Sequence, residues 1–428
     1  MHIYFSGIGG TGIGPLAIIA KEAGNKVSGS DKQSSAYTEY LIKQGIDVHV
    51  GQKDDSYINK VNNENPIEWF VYSSALPLEN PNHPELVFVK NNNIKYSKRD
   101  EFLSKFLINN KLKLLAAAGT HGKTTTTAML VWTFKQLNIP ISYSVGAKTN
   151  FCAMGHYNKK SEYFIYECDE FDKNFLSFKP YRSIISSLDW DHHEIYKTRE
   201  DYKNAFMQFI NQSSKTYLYY NVNKYLNIYD NDKIVCVVKQ NDLITKQIKL
   251  AGQHNRNNAR LCIELVSDLL NIEKNKLIPI LNKFPGTSRR FEKLANNIYT
   301  DYAHTPEEIS ATIQLAKELS VNILVVYEPL TNRRQHHMKL QYKNTFDGIE
   351  QLIWLPSYLA REDKKQAILS PEQLIENLSD PSIAKPAIKN TALYKTIKNH
   401  AKNKGMVLLL AGGGGGSLDE WARKVFSN

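Results

Sequence analysis

The stretch from Ala116 to Thr125 carries the plainest chemistry in this chain. Gly119, Thr120, His121, Gly122, Lys123, Thr124 and Thr125 follow an apolar run at Leu114 and Leu115 and precede a helical stretch. A turn of small residues at a strand-to-helix junction lets backbone N–H groups reach an anion that bulkier side chains would hold away. Lys123 extends that reach to the outer phosphates of a nucleoside triphosphate, and the Thr124 hydroxyl is placed to ligate Mg²⁺. The strict form of this loop opens on a glycine where the chain has Ala117, so the loop is a variant.

Two acidic clusters extend the chemistry. Glu167, Asp169, Glu170 and Asp172 crowd one strand end, and Asp189, Asp191, His192, His193 and Glu194 crowd another. Clustered carboxylates repel one another, a cost that a divalent cation removes. Mg²⁺ held by Thr124 and Glu167 and bridging the phosphates of ATP is therefore the economical reading, with His192 beside Asp191 as a further ligand. A solvated acidic loop is the plain alternative for any single carboxylate. These parts alone suit a hydrolase, a kinase or a ligase.

A second phosphate-directed turn lies at the start of the chain. Gly7, Gly9, Gly10, Thr11 and Gly12 belong to a run that fits G-x-G-x-x-G after a strand and before a helix, and Asp31 follows near the spacing of a ribose-binding acid. The pattern places a diphosphate at a helix N-terminus. It does not separate a dinucleotide, as in a dehydrogenase, from a nucleotide sugar.

The elements that must position these residues alternate strand and helix throughout. Strands are expected at Ile3 to Phe5, Trp69 to Tyr72, Leu114 to Ala117, Tyr163 to Glu167, Ser183 to Leu188 and Thr216 to Tyr220. After Phe284 to Thr287, read as a hinge, further strands are expected at Ile298 to Tyr302, Ile323 to Tyr327, Leu352 to Leu355 and Met406 to Leu410. Helices are expected at about Asn255 to Leu270, Glu307 to Leu319 and Pro371 to Leu378. This predicts an α/β protein of three domains: a Rossmann-like domain over 1–107, a P-loop ATPase-like parallel sheet over 108–286 and a second Rossmann-like domain over 287–428.

Composition narrows the setting. The 428 residues exceed a single core, and the longest apolar runs fall short of the ~20 residues that span a membrane. Met1 to Gly7 has neither a basic leader nor a cleavage site, and the cysteines Cys152, Cys168, Cys236 and Cys262 lie far apart. Both point to a reduced, cytoplasmic protein. The net charge of +11 comes from scattered lysines without a sustained basic tract, which suits phosphate-rich small molecules and predicts no nucleic acid and no membrane insertion.

Six motifs in order extend the reading to the whole chain. They are Gly119 to Thr127, the acidic box from Glu167 to Asp172, Asp191 with His192, Gly252 to Asn255 with Asn258, Gly286 to Glu292, and Asp301 to Pro306. Together they resemble the Mur ligases. The N-terminal turn, with Ser28 to Asp31 and Ser73, Ser74 and Ala75, is most similar to the members that act on UDP-N-acetylmuramate.

The resemblance implies an ATP-dependent ligase of peptidoglycan synthesis that joins UDP-N-acetylmuramate to an amino acid, L-alanine favoured, through an acyl-phosphate. It implies that the first domain takes the UDP sugar through Gly7, Gly9, Gly10, Thr11, Gly12, Asp31, Ser73 and Ser74. In the second, Gly119 to Thr125 would hold ATP, with Lys123 on its phosphates, Thr124 and Glu167 on one Mg²⁺ and His192 on another, while Asn255 and Asn258 would contact adenine. In the third, Arg290 and Asp301 would approach ATP on closure, His304 would sit near the catalytic cleft, and Arg334 would hold the amino acid. Ser186 and Ser187 replace the usual Thr-Asn before the Asp-His pair. The segment Glu328 to Arg334 is nearer the relative that attaches recovered tripeptide, whereas Tyr358 to Glu362 resembles the alanine-adding members. Those departures leave two alternatives open, the tripeptide-recycling ligase and a catalytically weak nucleotide-binding homologue.

Overall fold

The computed structural model describes residues 1–192, 195–228, 235–239, 241–359, 362 and 365–426. His193 and Glu194 of the second acidic cluster, and Ala360 and Arg361 of the motif after Tyr358, lie outside the described residues. Three sheets form, each parallel but for one strand or none, with helices in the crossovers.

In the first sheet five parallel strands stand in the spatial order Asp47–Val50, Lys26–Asp31, His2–Ser6, Trp69–Tyr72 and Tyr96–Lys98. The chain reverses direction across the sheet on either side of His2–Ser6, and such a switch point opens a crevice at the carboxyl ends of the strands. The Gly7 to Gly12 turn leaves from that end.

The second sheet runs Val235–Val238, Thr216–Tyr219, Arg182–Ile185, Lys113–Ala118, Tyr163–Glu167, Ile141–Ser144 and Gly155–His156, the last antiparallel. Its central strand reads Lys-Leu-Leu-Ala-Ala-Ala and is buried on both faces after Lys113, as a parallel strand covered by helices must be. The third sheet runs Glu292–Ala295, Ile298–Asp301, Met406–Ala411, Ile323–Glu328, Gln351–Trp354 and Ala384–Pro386, with the first strand antiparallel. The expected strand reaching Leu188 stops at Ile185, because Ser186 and Ser187 turn their hydroxyls to backbone carbonyls.

The chain separates into two compact units, residues 1–248 with 257–284, and residues 249–256 with 285–428. The first two sheets share the former through a continuous apolar core that runs from Ile3, Phe5 and Trp69 to Phe164, Tyr166, Phe175 and Phe178. The helix Arg99–Asn109 joins them. Its Phe102 packs edge-on against Phe5 and Trp69, and its buried Asp100 accepts a hydrogen bond from Tyr166 Oη at 2.9 Å. In the second unit, Tyr327, Tyr342, Phe346 and Trp354 form an aromatic cluster under the sheet.

Candidate active site

The phosphate loop forms as its residue types require. Gly119 and Gly122 adopt φ of +126° and +83°, a region that costs a side-chain-bearing residue conformational energy. A Cβ on Gly119 would stand 2.7 Å from the Ser187 carbonyl oxygen and 2.8 Å from Ser186 Oγ, and one on Gly122 would stand 2.9 Å from the buried Asn258 amide. Gly119→Ala is therefore expected to lower stability by roughly 1–3 kcal/mol and to abolish triphosphate binding, as thermal unfolding and ATP calorimetry would read. Retained ATP affinity would count against this loop as the phosphate site.

The serines that replace the usual Thr-Asn brace the loop. His121 N–H donates to Ser187 Oγ at 2.8 Å, Thr120 N–H to the Ser187 carbonyl at 3.1 Å, and Ser186 Oγ to the His121 carbonyl. Thr120 Oγ1 donates to the Asp189 carbonyl at 2.7 Å and meets Tyr202 Oη at 2.8 Å. Thr125 is buried on the helix Lys123–Gln136.

Lys123 folds over the loop. Its Nζ donates to the Gly119 and Thr120 carbonyls at 2.7 and 3.2 Å and to both carboxylate oxygens of Glu170 at 2.8 and 3.0 Å. Burial works against the ammonium, but Glu170, Asp169 and Glu167 outweigh it and hold its pKa above the ordinary value. Thr124 Oγ1 donates to Glu167 Oε1 at 2.9 Å, so the pair expected to hold one Mg²⁺ is already in contact.

His192 joins a different part of the acidic box. Side-chain ligand atoms of Asp169, Glu170 and His192 all lie within 4.8 Å of one another, and His192 Nε2 is 3.6 Å from Glu170 Oε1. Oxygen-rich, partly buried donor sets of this kind suit a hard divalent cation. Glu170, fully buried, thus faces both Lys123 and His192. Sequence reasoning placed it in the box without a role, since nothing in the spacing separates it from Glu167. His192, Asp172 and Lys173 all adopt left-handed backbone, at φ of 53°, 53° and 55°, where non-glycine residues cost energy that functional sites commonly bear.

The N-terminal turn presents its donors sparingly. Gly7 and Ile8 N–H donate to the Ser30 carbonyl, Gly9 N–H to Asp31 Oδ2 at 2.8 Å, and Gly10 N–H to the Gly7 carbonyl. Asp31 therefore fixes the turn itself with one oxygen. Ser73 and Ser74 follow the strand Trp69–Tyr72, and Ser74 Oγ donates to Asn174 of the acidic box segment at 3.3 Å. Arg99 spans the same region: Nη2 donates to Asp169 at 3.3 Å and Nε to Asp100 at 3.0 Å.

Asn255 and Asn258 both lie on the helix Gln253–Leu270. Asn255 donates to the Ala251 carbonyl, while Asn258 packs on Gly122 as described.

In the second unit, Asp301 ends a strand and accepts from Phe291 and Ala303 N–H at 2.7 and 2.8 Å. Burial pushes its pKa up to about 6 against the pull of Arg290 and these two donors. His304 Nδ1 sits 2.9 Å from the Tyr302 carbonyl and 3.1 Å from Glu308. Burial holds its pKa below the usual value, outweighing Glu308, with Arg334 and Arg290 adding to the depression. Gly412 closes on the same place, since a Cβ there would meet His304 Cβ at 2.9 Å and Leu330 Cβ at 3.1 Å. Arg290, Asp301, His304 and Arg334 are thus neighbours. The tripeptide-like segment beside them is committed to structure: Glu328 pairs with Lys389 and accepts from Leu418 N–H, and Asn332 bonds the Ala367 carbonyl and Leu369 N–H.

Parallel sheets with glycine turns at their strand ends, and carboxylates that reach Lys123, Thr124 and Arg99, give the chain the architecture of a nucleotide-binding α/β protein. The chain matches the Mur ligase family catalytic domain over residues 2–111 and the Mur ligase middle domain over residues 117–233. It is 32% identical to the UDP-N-acetylmuramate–L-alanine ligase of Clostridium acetobutylicum, covering 96% of this chain and 95% of that one. It is 33% identical to the enzyme of the same name from Clostridium tetani, with the same coverage. The protein belongs to the Mur ligase family. Its fold is similar to that of UDP-N-acetylmuramate-alanine ligase from Thermotoga maritima, with a TM-score of 0.78 at 24% identity over 99% of this chain and 98% of that one. A murein peptide ligase from Psychrobacter arcticus gives a TM-score of 0.64 at 20% identity over 100% of this chain and 99% of that one. No helix among the described residues is long and apolar enough to cross a membrane.

Proposed function

We propose that this protein joins the carboxyl group of UDP-N-acetylmuramate to the amine of L-alanine in the cytoplasm, using ATP and Mg²⁺. The reading rests above all on the acidic box, which touches the phosphate loop directly and reaches the N-terminal turn through Arg99 within one compact unit. Asp169 meets Arg99 beside Gly12, while Glu167 and Glu170 meet Thr124 and Lys123.

In this reading 1–107 takes the sugar nucleotide, 108–286 takes ATP and 287–428 takes the amino acid. A carboxylate acylates poorly, so its oxygen first attacks the γ-phosphoryl group, giving an acyl-phosphate and ADP. The amine then attacks the acyl carbon and inorganic phosphate leaves. Lys123 screens the repulsion between the carboxylate and the phosphates, and the N–H groups that open the helix Lys123–Gln136 hold the triphosphate in line. Thr124 with Glu167, and His192 with Asp169 and Glu170, would hold Mg²⁺, which supplies charge neutralisation on the phosphates. Asn255 and Asn258 take the adenine. Around the amine, His304 stays neutral at physiological pH and is suited to accept a proton, and Arg334 is suited to the amino-acid carboxylate.

Phosphate release from ATP, followed with UDP-N-acetylmuramate and a panel of amines, tests the proposal. The expected result is release that depends on L-alanine, with a product mass equal to the sugar nucleotide plus alanine less water. Release only with L-alanyl-γ-D-glutamyl-meso-diaminopimelate would move the assignment to the recycling ligase, and nucleotide binding without product would move it to a non-catalytic homologue.

A further inference from the structure

We infer that Arg99 is a diphosphate-binding residue of the sugar-nucleotide site, supplying charge and donors that the Gly7 to Gly12 turn lacks. The inference rests on the reading that this turn receives a UDP sugar.

The turn is poorer in donors than its sequence suggests. Of the N–H groups from Gly7 to Ile13, those of Gly7, Ile8, Gly9, Gly10 and Ile13 are consumed by Ser30, Asp31, Gly7 and Gly10. Among the described residues only the Thr11 and Gly12 N–H groups lack an internal acceptor. Two neutral donors and one helix terminus are a weak counterweight to the charge of a diphosphate, which in sites of this kind is met by a cation or a guanidinium.

Arg99 stands at that point. It opens the helix Arg99–Asn109 directly after the strand Tyr96–Lys98, at the carboxyl edge of the first sheet. Its guanidinium lies flush on Gly12: a Cβ there would stand 1.7 Å from Nη1 and 2.9 Å from Cζ. Any residue but glycine at this position would displace the guanidinium, so Gly12 provides room for an arginine as well as for a phosphate. Nε is held by Asp100 and Nη2 by Asp169, whereas Nη1 has no hydrogen-bond partner among the described residues. The two carboxylates fix the plane of the guanidinium before ligand arrives, so little rotamer entropy is lost on binding. The uncommitted nitrogen, Nη1, is the one that lies against Gly12. Asp169 also belongs to the cluster with Glu170 and His192, which ties the grip on the diphosphate to the metal-directed carboxylates.

Calorimetric titration of the full chain with UDP and with UMP, at one fixed salt concentration, tests this. Arg99→Ala is expected to weaken UDP ~10- to 100-fold, the size of a charge-assisted contact, while UMP, which lacks the second phosphate, changes less than ~3-fold. Arg99→Lys is expected to recover part of the UDP affinity, and it carries the same UDP-to-UMP comparison should Arg99→Ala fail to fold. UDP affinity unchanged in both variants, or UDP and UMP weakened equally, would overturn the inference while leaving the sugar-nucleotide site intact. A wild-type chain that binds neither UDP nor UMP would overturn both.

Discussion

Replacing Lys123 by alanine is expected to lower ATP-dependent amide formation by ~10³-fold or more, because in the proposed function it removes the charge that faces the phosphoryl group in the transition state. The same change should also destabilise the protein. Glu170 is fully buried and holds Lys123 through both carboxylate oxygens, so removing the ammonium strands a charge, at a cost of roughly 3–5 kcal/mol. Catalytic and structural losses separate in the double variant. Lys123→Ala with Glu170→Gln should recover much of the thermal midpoint and none of the turnover. Turnover within ~10-fold of wild type in folded Lys123→Ala would show that this lysine does not act on the phosphates.

Acid should weaken the second unit through His254. The residue is half-buried, and its Nδ1, shielded from solvent, has no hydrogen-bond partner among the described residues. Burial first, then the charge of Arg290, lowers its pKa from 6.5 to about 4. Between those values the unfolded chain carries the proton and the folded chain does not, so stability falls as pH drops through this window, by up to about 3 kcal/mol. His304, also depressed, acts in the same sense. Asp301 opposes them. Its folded pKa of about 6 exceeds its ordinary 3.8, so the stability it adds is complete below 3.8 and is lost as pH rises through 6. Urea unfolding of wild type and His254→Gln at about pH 7.5 and about pH 4.5 isolates the His254 contribution, because the other two groups are common to both proteins. The difference between them should change by about 2–3 kcal/mol. Parallel profiles would rule His254 out as the source.

The phosphate loop and the N-terminal turn were legible because backbone geometry demands particular residue types at fixed sequential spacing. Gly119, Gly122, Lys123 and Thr124 are such a set, and Thr124, read beside Glu167 as a metal-directed pair, donates to it directly. The alternation of strands and helices was legible from the longer apolar runs, but the short strands Asp47–Val50, Tyr96–Lys98, Ile141–Ser144, Gly155–His156, Val235–Val238, Glu292–Ala295 and Ala384–Pro386 were not, because two to four residues carry too little pattern. Contacts set by tertiary folding left no such trace. Nothing local marks Glu170 over Glu167 as the partner of Lys123, or Arg99 as the neighbour of Gly12. Ser187 reads in sequence as a lost asparagine, yet its hydroxyl holds the His121 N–H. The segment from Glu328 to Arg334 reads as nearer the tripeptide-attaching relative, yet the polar groups of Glu328 and Asn332 bind the chain's own backbone and Lys389.

The core shared by the first two sheets has an entropic consequence. A carboxylate and a phosphoryl group carried by separate, freely jointed bodies would have to find each other at each turnover. Here Phe102, Phe175 and their neighbours lock the two nucleotide-directed turns into one packed body. On the proposed function, the spacing between the two reactants' sites is thereby set when the chain folds, and reactants that such a frame aligns for attack can reach effective concentrations on the order of 10⁵–10⁸ M. If the two turns bind the sugar nucleotide and ATP as proposed, the activation half of the reaction needs no docking of separate bodies to bring its two sites together.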